Sequence, residues 1–307
     1  MAVIEVSNVT YRYGGTIALR DFSLAVPQGA LYALLGPNGS GKTTLMQLLM
    51  GLRRVQSGRV SMLGVESPAL TMRDRASIGY IAEGQPLPGW MRLEQLEAYL
   101  APLYPTWDQA LARDLRERFD LDPHRKIKTL SRGEHMKAAL LCALASRPRL
   151  LLMDEPFTGM DALVKDELVQ GLLESAGSEG WSVLICSHDL EELEMLADWV
   201  GFISNGEMLL SEPMESLRER FQRVEILLEG ENTSSAGIVP VEWLNVAQLG
   251  PRLSFISSQS GADALERELR ARYPTARRVD VSRATLREIF VALAKRTARH
   301  SNVGAAA

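Results

Sequence analysis

The chain of 307 residues is poor in cysteine and in aromatic residues. Its two cysteines, Cys142 and Cys186, are far apart, and neither belongs to a Cys-x-x-Cys pair or to another spacing of metal ligands. This scarcity excludes a small secreted fold held by disulfides and a zinc site built on cysteine. We therefore expect both thiols to be inert core groups in a reducing compartment.

Long hydrophobic runs and a large excess of charge of either sign are also absent. The net charge is −4 and charged residues make up 23% of the chain, so composition gives no reason to expect nucleic acid as a partner. The longest apolar stretches, such as 138–145, are far shorter than the roughly 18 residues that cross a bilayer. The first residues alternate like a strand and lack the basic and apolar regions of a signal peptide. These features predict a cytoplasmic protein that does not itself span a membrane.

What the sequence does contain is a complete phosphate-binding loop, placed between an apolar run at 31–35 and a helical pattern that follows. Its glycines let backbone amides converge on phosphate oxygens, and the positive end of the next helix attracts the same anion. Lys42 is expected to reach the β- and γ-phosphates, and Thr43 to offer its hydroxyl to Mg²⁺. The predicted nucleotide-binding residues are Gly36, Pro37, Asn38, Gly39, Ser40, Gly41, Lys42, Thr43 and Thr44.

Two later apolar runs, 150–153 and 183–186, end in polar residues, as parallel strands do when a ligand binds at their carboxyl ends. Asp154 suits a carboxylate that holds Mg²⁺ through water. Glu155 suits the group that orients or deprotonates the attacking water, because adjacent strand residues point in opposite directions. His188 is placed to donate a hydrogen bond to the γ-phosphate, although a lone histidine is more often structural.

The periodicity of apolar residues indicates how the chain is organised. Short alternating runs up to residue 26 predict an antiparallel β-layer, and helical periodicity between about 86 and 147 predicts a helical subdomain within an α/β domain. After residue 221 the pattern changes to strands and two amphipathic helices, which predicts a small α+β domain over 222–296. The polar tail, 297–307, is expected to be disordered.

In order and spacing, these features of residues 3–221 resemble the ATP-binding subunits of ATP-binding-cassette (ABC) transporters. The phosphate loop and Asp154-Glu155 match the two Walker motifs of that family, Asp161 lies in the match to its D-loop, and His188 matches its switch histidine. Tyr13 resembles the aromatic residue that stacks on adenine, a contact that contributes about 1 kcal/mol. The resemblance implies a P-loop fold with a mixed sheet core, an antiparallel β-subdomain and a helical subdomain.

Leu130-Ser131-Arg132-Gly133-Glu134 resembles the Leu-Ser-Gly-Gly-Gln signature of the same family. A hydroxyl and glycine amides at a helix start form an anion site, and in this family Ser131 and Gly133 would serve the ATP of the opposite subunit. The resemblance thus implies a homodimer closed over two nucleotides and a separate integral membrane permease. Arg132 and Glu134 depart from the common signature and resemble the subgroup of ABC-2 type exporters.

A second departure concerns the glutamine with which the family contacts Mg²⁺. Glu83 occupies that place after the strand-like run 78–82, and Gln85 lies two positions further on. Because a glutamate oxygen can also bind Mg²⁺, we predict a metal site made of Thr43, Glu83 and Asp154.

The predicted function is ATP hydrolysis by Glu155 and His188 that drives the permease from the inner face of the cell membrane, with export favoured over import. The alternative is a soluble ATP-switched regulator or assembly factor of the same family. Soluble translation factors of this family frequently carry two cassettes in one chain. This chain has one cassette, which favours the transport function over the soluble alternative. A degenerate cassette that binds ATP without hydrolysis is disfavoured by the intact Glu155 and His188.

Overall fold

The computed structural model describes residues 1–194, 196–229, 240–259 and 261–304. The density of internal contacts divides the chain into two units. The first comprises Met1–Asp189 and Met195–Met208, and the second comprises Leu190–Glu194 and Leu209–Ala307. Residues Leu190–Glu194 therefore belong to the second unit, although the residues directly before and after them belong to the first.

Both units contain strands as well as α-helices. In chain order, those of the described residues are β1 (Ala2–Tyr13), β2 (Thr16–Pro27), β3 (Leu31–Leu35), α1 (Lys42–Leu49), β4 (Ser57–Met62), β5 (Val65–Glu66), α2 (Met72–Arg75), β6 (Ile78–Ile81), α3 (Leu93–Leu100), α4 (Gln109–Arg118), α5 (Arg132–Ala145), β7 (Leu150–Asp154), α6 (Ala162–Glu179), β8 (Ser182–Ser187), α7 (Leu190–Leu193), β9 (Trp199–Ser204), β10 (Glu207–Pro213), α8 (Met214–Arg220), β11 (Gln222–Leu227), β12 (Trp243–Leu249), β13 (Arg252–Ser257), α9 (Ala262–Arg272), β14 (Arg278–Arg283) and α10 (Leu286–Gly304).

An antiparallel sheet with the strand order β2-β1-β4-β5 forms the first layer. Within β1, Ile4 and Val6 are buried while Glu5 and Ser7 are exposed, because alternate residues of a strand face opposite sides of the sheet. The antiparallel layer predicted from the alternating pattern is confirmed.

The central sheet has the strand order β10-β9-β3-β8-β7-β6. The pairs that link β9, β3, β8, β7 and β6 are all parallel, and β3, β7 and β8 are buried along their whole length. Leu35 at the end of β3 pairs with Ser187 of β8, and Asp154 at the end of β7 pairs with Cys186. The segments that follow these three strands therefore meet at one edge of the sheet.

Helices α3, α4 and α5 occupy the segment for which the sequence predicts a helical subdomain. Leu93, Leu96 and Leu115 lie on their apolar faces and are buried. The side chain of Asp108 caps the N-terminus of α4, since it accepts hydrogen bonds from the amides of Ala110 and Leu111 at 2.8 and 2.9 Å.

The second unit contains an antiparallel sheet with the strand order β12-β13-β11-β14. Trp243 stacks on Phe255 with ring centroids 3.9 Å apart, and both rings lie in a buried cluster with Leu265 and Leu269 of α9. Strands β12 and β14 were not predicted from the sequence. Helix α10 continues beyond residue 296, where the sequence places the start of a disordered tail, and residues 305–307 lie outside the described residues.

Among the described residues, no helix is both long enough and apolar enough to cross a membrane.

Candidate functional site

The phosphate loop joins β3 to α1 and lies close to neighbouring backbone. The Gly36 amide donates a hydrogen bond to the Ser187 carbonyl at 3.1 Å, and a Cβ atom on Gly36 would overlap the Ile203 carbonyl oxygen. Gly41 has φ 110°, and a Cβ atom there would lie 2.5 Å from the Ala18 carbonyl oxygen. Only glycine fits at these two positions, for reasons of space and, at Gly41, of backbone geometry.

The N-terminus of α1 is open to an anion. Gly41 provides no side-chain cap, and the first turn of the helix contains no acidic residue. The first amides of a helix have no partner within the helix, and they carry the positive end of its dipole. Pro37, Asn38 and Gly39 are exposed in the loop before this end. The loop and the helix therefore have an open, uncapped geometry that suits an anion.

Lys42 is 5% exposed and is held from two sides. Its Nζ donates hydrogen bonds to the carbonyl oxygens of Gly36 at 2.6 Å and Pro37 at 3.2 Å. The same nitrogen lies 3.1 Å from Glu155 Oε1, at ion-pair distance but outside hydrogen-bond geometry. An incoming triphosphate would compete with these partners for the ammonium group.

Glu155 is 7% exposed and is fixed by three groups. Its Oε2 lies 2.7 Å from His188 Nδ1 and accepts hydrogen bonds at 3.3 Å from the His188 amide and from Thr158 Oγ1. Its backbone has φ 50°, a left-handed conformation that is uncommon for glutamate and that is seen at functional turns. Thr158 was not predicted from the sequence; the signal available was a hydroxyl three residues after the acid, in a tight turn.

The two adjacent carboxyl groups have opposite shifts in pKa. Burial raises the pKa of Asp154, and the charge of Glu155 adds to the rise, although a hydrogen bond with Thr43 and the charge of Lys42 oppose it. Burial also acts to raise the pKa of Glu155, but the hydrogen bond with His188 and the charge of Lys42 outweigh it, so the net shift is downward. Glu155 thus remains ionised, whereas at Asp154 the charge of Lys42 and the hydrogen bond with Thr43 do not outweigh burial.

The residues at the end of β7 fit a divalent cation. Asp154 Oδ1 is buried and has no hydrogen-bond partner among the described residues. The Thr43 hydroxyl lies close enough to the same carboxyl group to lower its pKa, and hard oxygen donors are the ligands that Mg²⁺ prefers. Within the described part of the chain no group of three or more His, Cys, Asp or Glu side chains is arranged to hold a metal.

Glu83 and Gln85 lie on the loop after β6. Glu83 is exposed, and its charge contributes to the raised pKa of Asp154, so it lies near enough to act electrostatically at the same place. Gln85 instead accepts a hydrogen bond from the Ala82 amide at 3.1 Å and stabilises the loop.

Tyr13 lies beside the helix that carries Lys42. Its side chain is 41% exposed, and its hydroxyl oxygen is 3.4 Å from Thr44 Oγ1. The structure therefore brings the ring predicted to stack on a base next to the phosphate-binding helix.

The signature-like segment begins α5 with a capping box. Ser131 Oγ accepts a hydrogen bond from the Glu134 amide at 3.2 Å, and Glu134 Oε2 accepts one from the Ser131 amide at 2.7 Å. Gly133 faces α6, since a Cβ atom there would lie 2.8 Å from Val164 Cγ1. Arg132 lies over Gly159, where a Cβ atom would overlap its Nη1.

Residues of this segment share a cavity of about 250 Å³ with the acid of the phosphate site. Ser131 and Arg132 line it together with Glu155, Thr158 and Gln85. Asp161 does not line this cavity. Its exposed side chain caps the N-terminus of α6, where it accepts a hydrogen bond from the Val164 amide at 3.0 Å.

Taken together, the loop between β3 and α1 and the acids after β7 define a P-loop nucleoside triphosphatase. A family model described as "ABC transporter" matches residues 19–158. The lantibiotic transport ATP-binding protein SrtF of Streptococcus pyogenes is 34% identical over 236 residues, which span 74% of this chain and 99% of SrtF.

The sulfate/thiosulfate import ATP-binding protein CysA of Yersinia pestis is 32% identical over 244 residues, covering 76% of this chain and 67% of CysA. A solved structure described as the ATP binding subunit of an ABC transporter shares 26% identity and a TM-score of 0.64, covering 70% of this chain and 92% of that one. The chain belongs to the ABC transporter family, as an ATP-binding subunit whose ATPase activity energises transport. Because an importer subunit is among the relatives, membership of the family is independent of the direction of transport.

Proposed function

We propose that this chain hydrolyses Mg²⁺-ATP in an ATP-dependent homodimer and drives a separate integral membrane permease of the exporter type. The observation that carries the proposal is the connected group of Lys42, Glu155 and His188, which lies beside the buried, unpartnered oxygen of Asp154. This group combines a phosphate-binding cation, an ionised acid and a histidine at one sheet edge.

In the proposed binding step, Lys42 exchanges the carbonyl oxygens of Gly36 and Pro37 for the β- and γ-phosphates. Loop amides and the N-terminus of α1 bind the remaining phosphate oxygens, and the base stacks on Tyr13. Thr43, Asp154 and Glu83 would hold Mg²⁺, which would neutralise part of the charge of the triphosphate.

In the proposed hydrolysis step, Glu155 orients the attacking water. Its lowered pKa keeps it ionised, and the hydrogen bonds with His188 and Thr158 fix its direction. Because His188 Nδ1 faces Glu155, its Nε2 is the ring nitrogen left to contact the γ-phosphate. In this step Glu155 would act on the attacking water, and His188 Nε2 would act on the γ-phosphate.

Ser131, Gly133 and Asp161 are proposed to complete the nucleotide site of a second copy. Two observations support this: the hydroxyl and amides stand at the start of α5, and solved cassettes of the family are described as dimers. The variant signature with Arg132 and Glu134 supports an exporter of the ABC-2 type. We further propose residues 1–221 as the cassette and 222–296 as an accessory domain, at the inner face of the membrane.

The first test compares Glu155→Gln with Lys42→Ala. Glu155→Gln is expected to bind Mg²⁺-ATP and dimerise while turnover falls by a factor on the order of 100, since the water loses its orienting acid. Lys42→Ala is expected to lose nucleotide affinity itself. Radiolabelled ATP binding, turnover and size-exclusion chromatography with Mg²⁺-ADP as the control separate these outcomes. Unchanged turnover in Glu155→Gln would rule out its assigned role.

The permease is tested with tagged Glu155→Gln purified in mild detergent from cells that make it, with Mg²⁺-ATP present. Recovery of a multi-span membrane protein in equal amount supports a transporter, and the same purification of Lys42→Ala is the control. Recovery of soluble partners alone would favour the ATP-switched regulator instead.

A further inference from the structure

Arg53 covers one side of the Tyr13 ring. The guanidinium carbon lies 4.7 Å from the ring centroid, within the range of a cation–π interaction. Arg53 Nε also donates a hydrogen bond to Gln47 Oε1, and the Tyr13 hydroxyl lies 3.5 Å from the same oxygen. The three side chains therefore form a closed group in which each contacts the other two.

Gln47 links this group to the phosphate-binding end of the molecule. It lies on α1, the helix that begins with Lys42. Its backbone carbonyl oxygen accepts hydrogen bonds from the Leu52 amide at 2.9 Å and the Arg53 amide at 3.3 Å. The segment after α1 is thereby folded back on the helix. The position of the Tyr13 ring relative to the phosphate loop is consequently set by Gln47 and Arg53.

The backbone next to Tyr13 is fixed from a second direction. The Arg12 amide donates to Gln56 Oε1 at 2.8 Å, and Gln56 Nε2 donates to the Arg12 carbonyl at 3.0 Å. Tyr11 meets the Tyr13 ring edge-on, with centroids 5.1 Å apart and an interplanar angle of 72°. The ring is held by a cation, by a neighbouring ring and by its hydroxyl, while 41% of the side chain remains exposed.

We infer that Arg53 is a positioning residue for the nucleotide base: together with Gln47 it holds Tyr13 as a flat platform on which a purine ring stacks. The inference rests on the proposed function, in which Tyr13 binds the base of ATP. A platform held in advance loses less conformational freedom on binding than a free tyrosine. Arg53 therefore contributes to affinity for the base without contacting the phosphates.

The test measures the affinity of the full chain for Mg²⁺-ATP and for Mg²⁺-tripolyphosphate, which has the phosphates but no base. Arg53→Ala is expected to weaken ATP binding about three- to tenfold and to leave tripolyphosphate binding unchanged. The ATP affinity of Arg53→Lys should lie between those of the wild type and Arg53→Ala. Lysine keeps the charge but lacks the flat guanidinium that is hydrogen-bonded to Gln47.

Arg54→Ala is the matched control, since it removes the same charge from the next, exposed position. Three outcomes would overturn the inference: equal ATP affinity in Arg53→Ala and Arg54→Ala, an equal loss for both ligands in Arg53→Ala, or tighter ATP binding by Arg53→Ala. The last would mean that Arg53 covers the face used for stacking. A wild-type chain that binds no Mg²⁺-ATP would instead contradict the proposed function, and thermal unfolding of each variant reports whether it is folded.

Discussion

At the residue scale, Asp154 is a carboxylate in an unfavourable place when no cation is bound. It is 1% exposed, its Oδ1 has no hydrogen-bond partner among the described residues, and burial raises its pKa. Between the pKa of an unfolded carboxyl and this raised value, the folded state binds more protons than the unfolded state. The free energy of unfolding therefore falls as pH rises through that interval, and the full penalty is present above it.

We predict that Asp154→Asn stabilises the nucleotide-free protein by about 1 kcal/mol at neutral pH, because a neutral amide costs less to bury. The gain should vanish below about pH 4, where the wild-type carboxyl is protonated in both states. Urea unfolding at several pH values measures this. The same variant should lose Mg²⁺-dependent nucleotide binding, and Glu174→Gln, an exposed acid on α6, serves as the control. A loss of stability at neutral pH would contradict the prediction.

The groups of the site differ in how far the sequence reveals them. Local sequence patterns identify three of them. A glycine-rich loop identifies Lys42, and the position of two acids at the end of an apolar strand identifies Asp154 and Glu155. The roles of Arg53 and Thr158 were not predicted, since they depend on which side chain each contacts after folding, and a hydroxyl near the acid is only a weak signal for Thr158. The sequence predicts the chemistry of this site better than the contacts that hold its groups in place.

At the scale of single elements, the start of α5 depends on a reciprocal capping box. Backbone hydrogen bonding with Ser131 is the main cause that lowers the pKa of Glu134, and an ion pair with Arg125 adds to it. This carboxylate therefore stabilises the fold above the ordinary pKa of a glutamate, and the contribution is lost as pH falls through the lowered value.

Glu134→Ala is expected to cost about 1 kcal/mol of stability at neutral pH, since the Ser131 amide loses its acceptor. Glu134→Gln should cost less, because its amide oxygen can accept the same hydrogen bond and only the ion pair is lost. Equilibrium denaturation of both variants at pH 7 and at low pH gives the comparison. An equal cost for both substitutions at pH 7 would show that the ion pair, and not the cap, stabilises this helix.

The elements themselves were predictable where the apolar pattern is continuous. The buried strands β3, β7 and β8 each contain a continuous apolar run, and apolar residues in the helical segment before residue 147 recur every three or four positions. Strands β12 and β14 lack that signal, because only part of each is buried and polar or charged residues interrupt their apolar residues. Pairing with their neighbours, and not their own composition, makes them strands.

At the scale of the whole molecule, the segment Leu190–Glu194 belongs to the second unit although it precedes the end of the first. A simple truncation between the units therefore lowers stability. Helix α7 contacts α10, the Glu194 carbonyl accepts a hydrogen bond from Arg218 at 2.8 Å, and Leu193 is fully buried. Deleting everything after residue 208 removes these partners but leaves α7 in place.

The truncated chain, 1–208, is therefore expected to retain nucleotide affinity, since the predicted binding residues precede the cut, but to aggregate more and unfold at a lower temperature. Replacing the uncovered side chain through Leu193→Gln in the truncated chain should restore part of the solubility. Light scattering and nucleotide titration of both forms measure these effects. A truncated chain as soluble and as thermally stable as the full protein would contradict this role of α7.

The buried state of Lys42 also has a consequence for electrostatics over longer distances. The molecule as a whole carries a charge of −4, so at long range it repels a polyanion such as ATP, and dissolved salt weakens that repulsion. The cation proposed to bind the phosphates is 5% exposed, paired with Glu155 at 3.1 Å and shielded from solvent ions. If Lys42 binds the phosphates as proposed, capture is an exchange of partners at short range, and added salt weakens the repulsion more than it weakens this attraction.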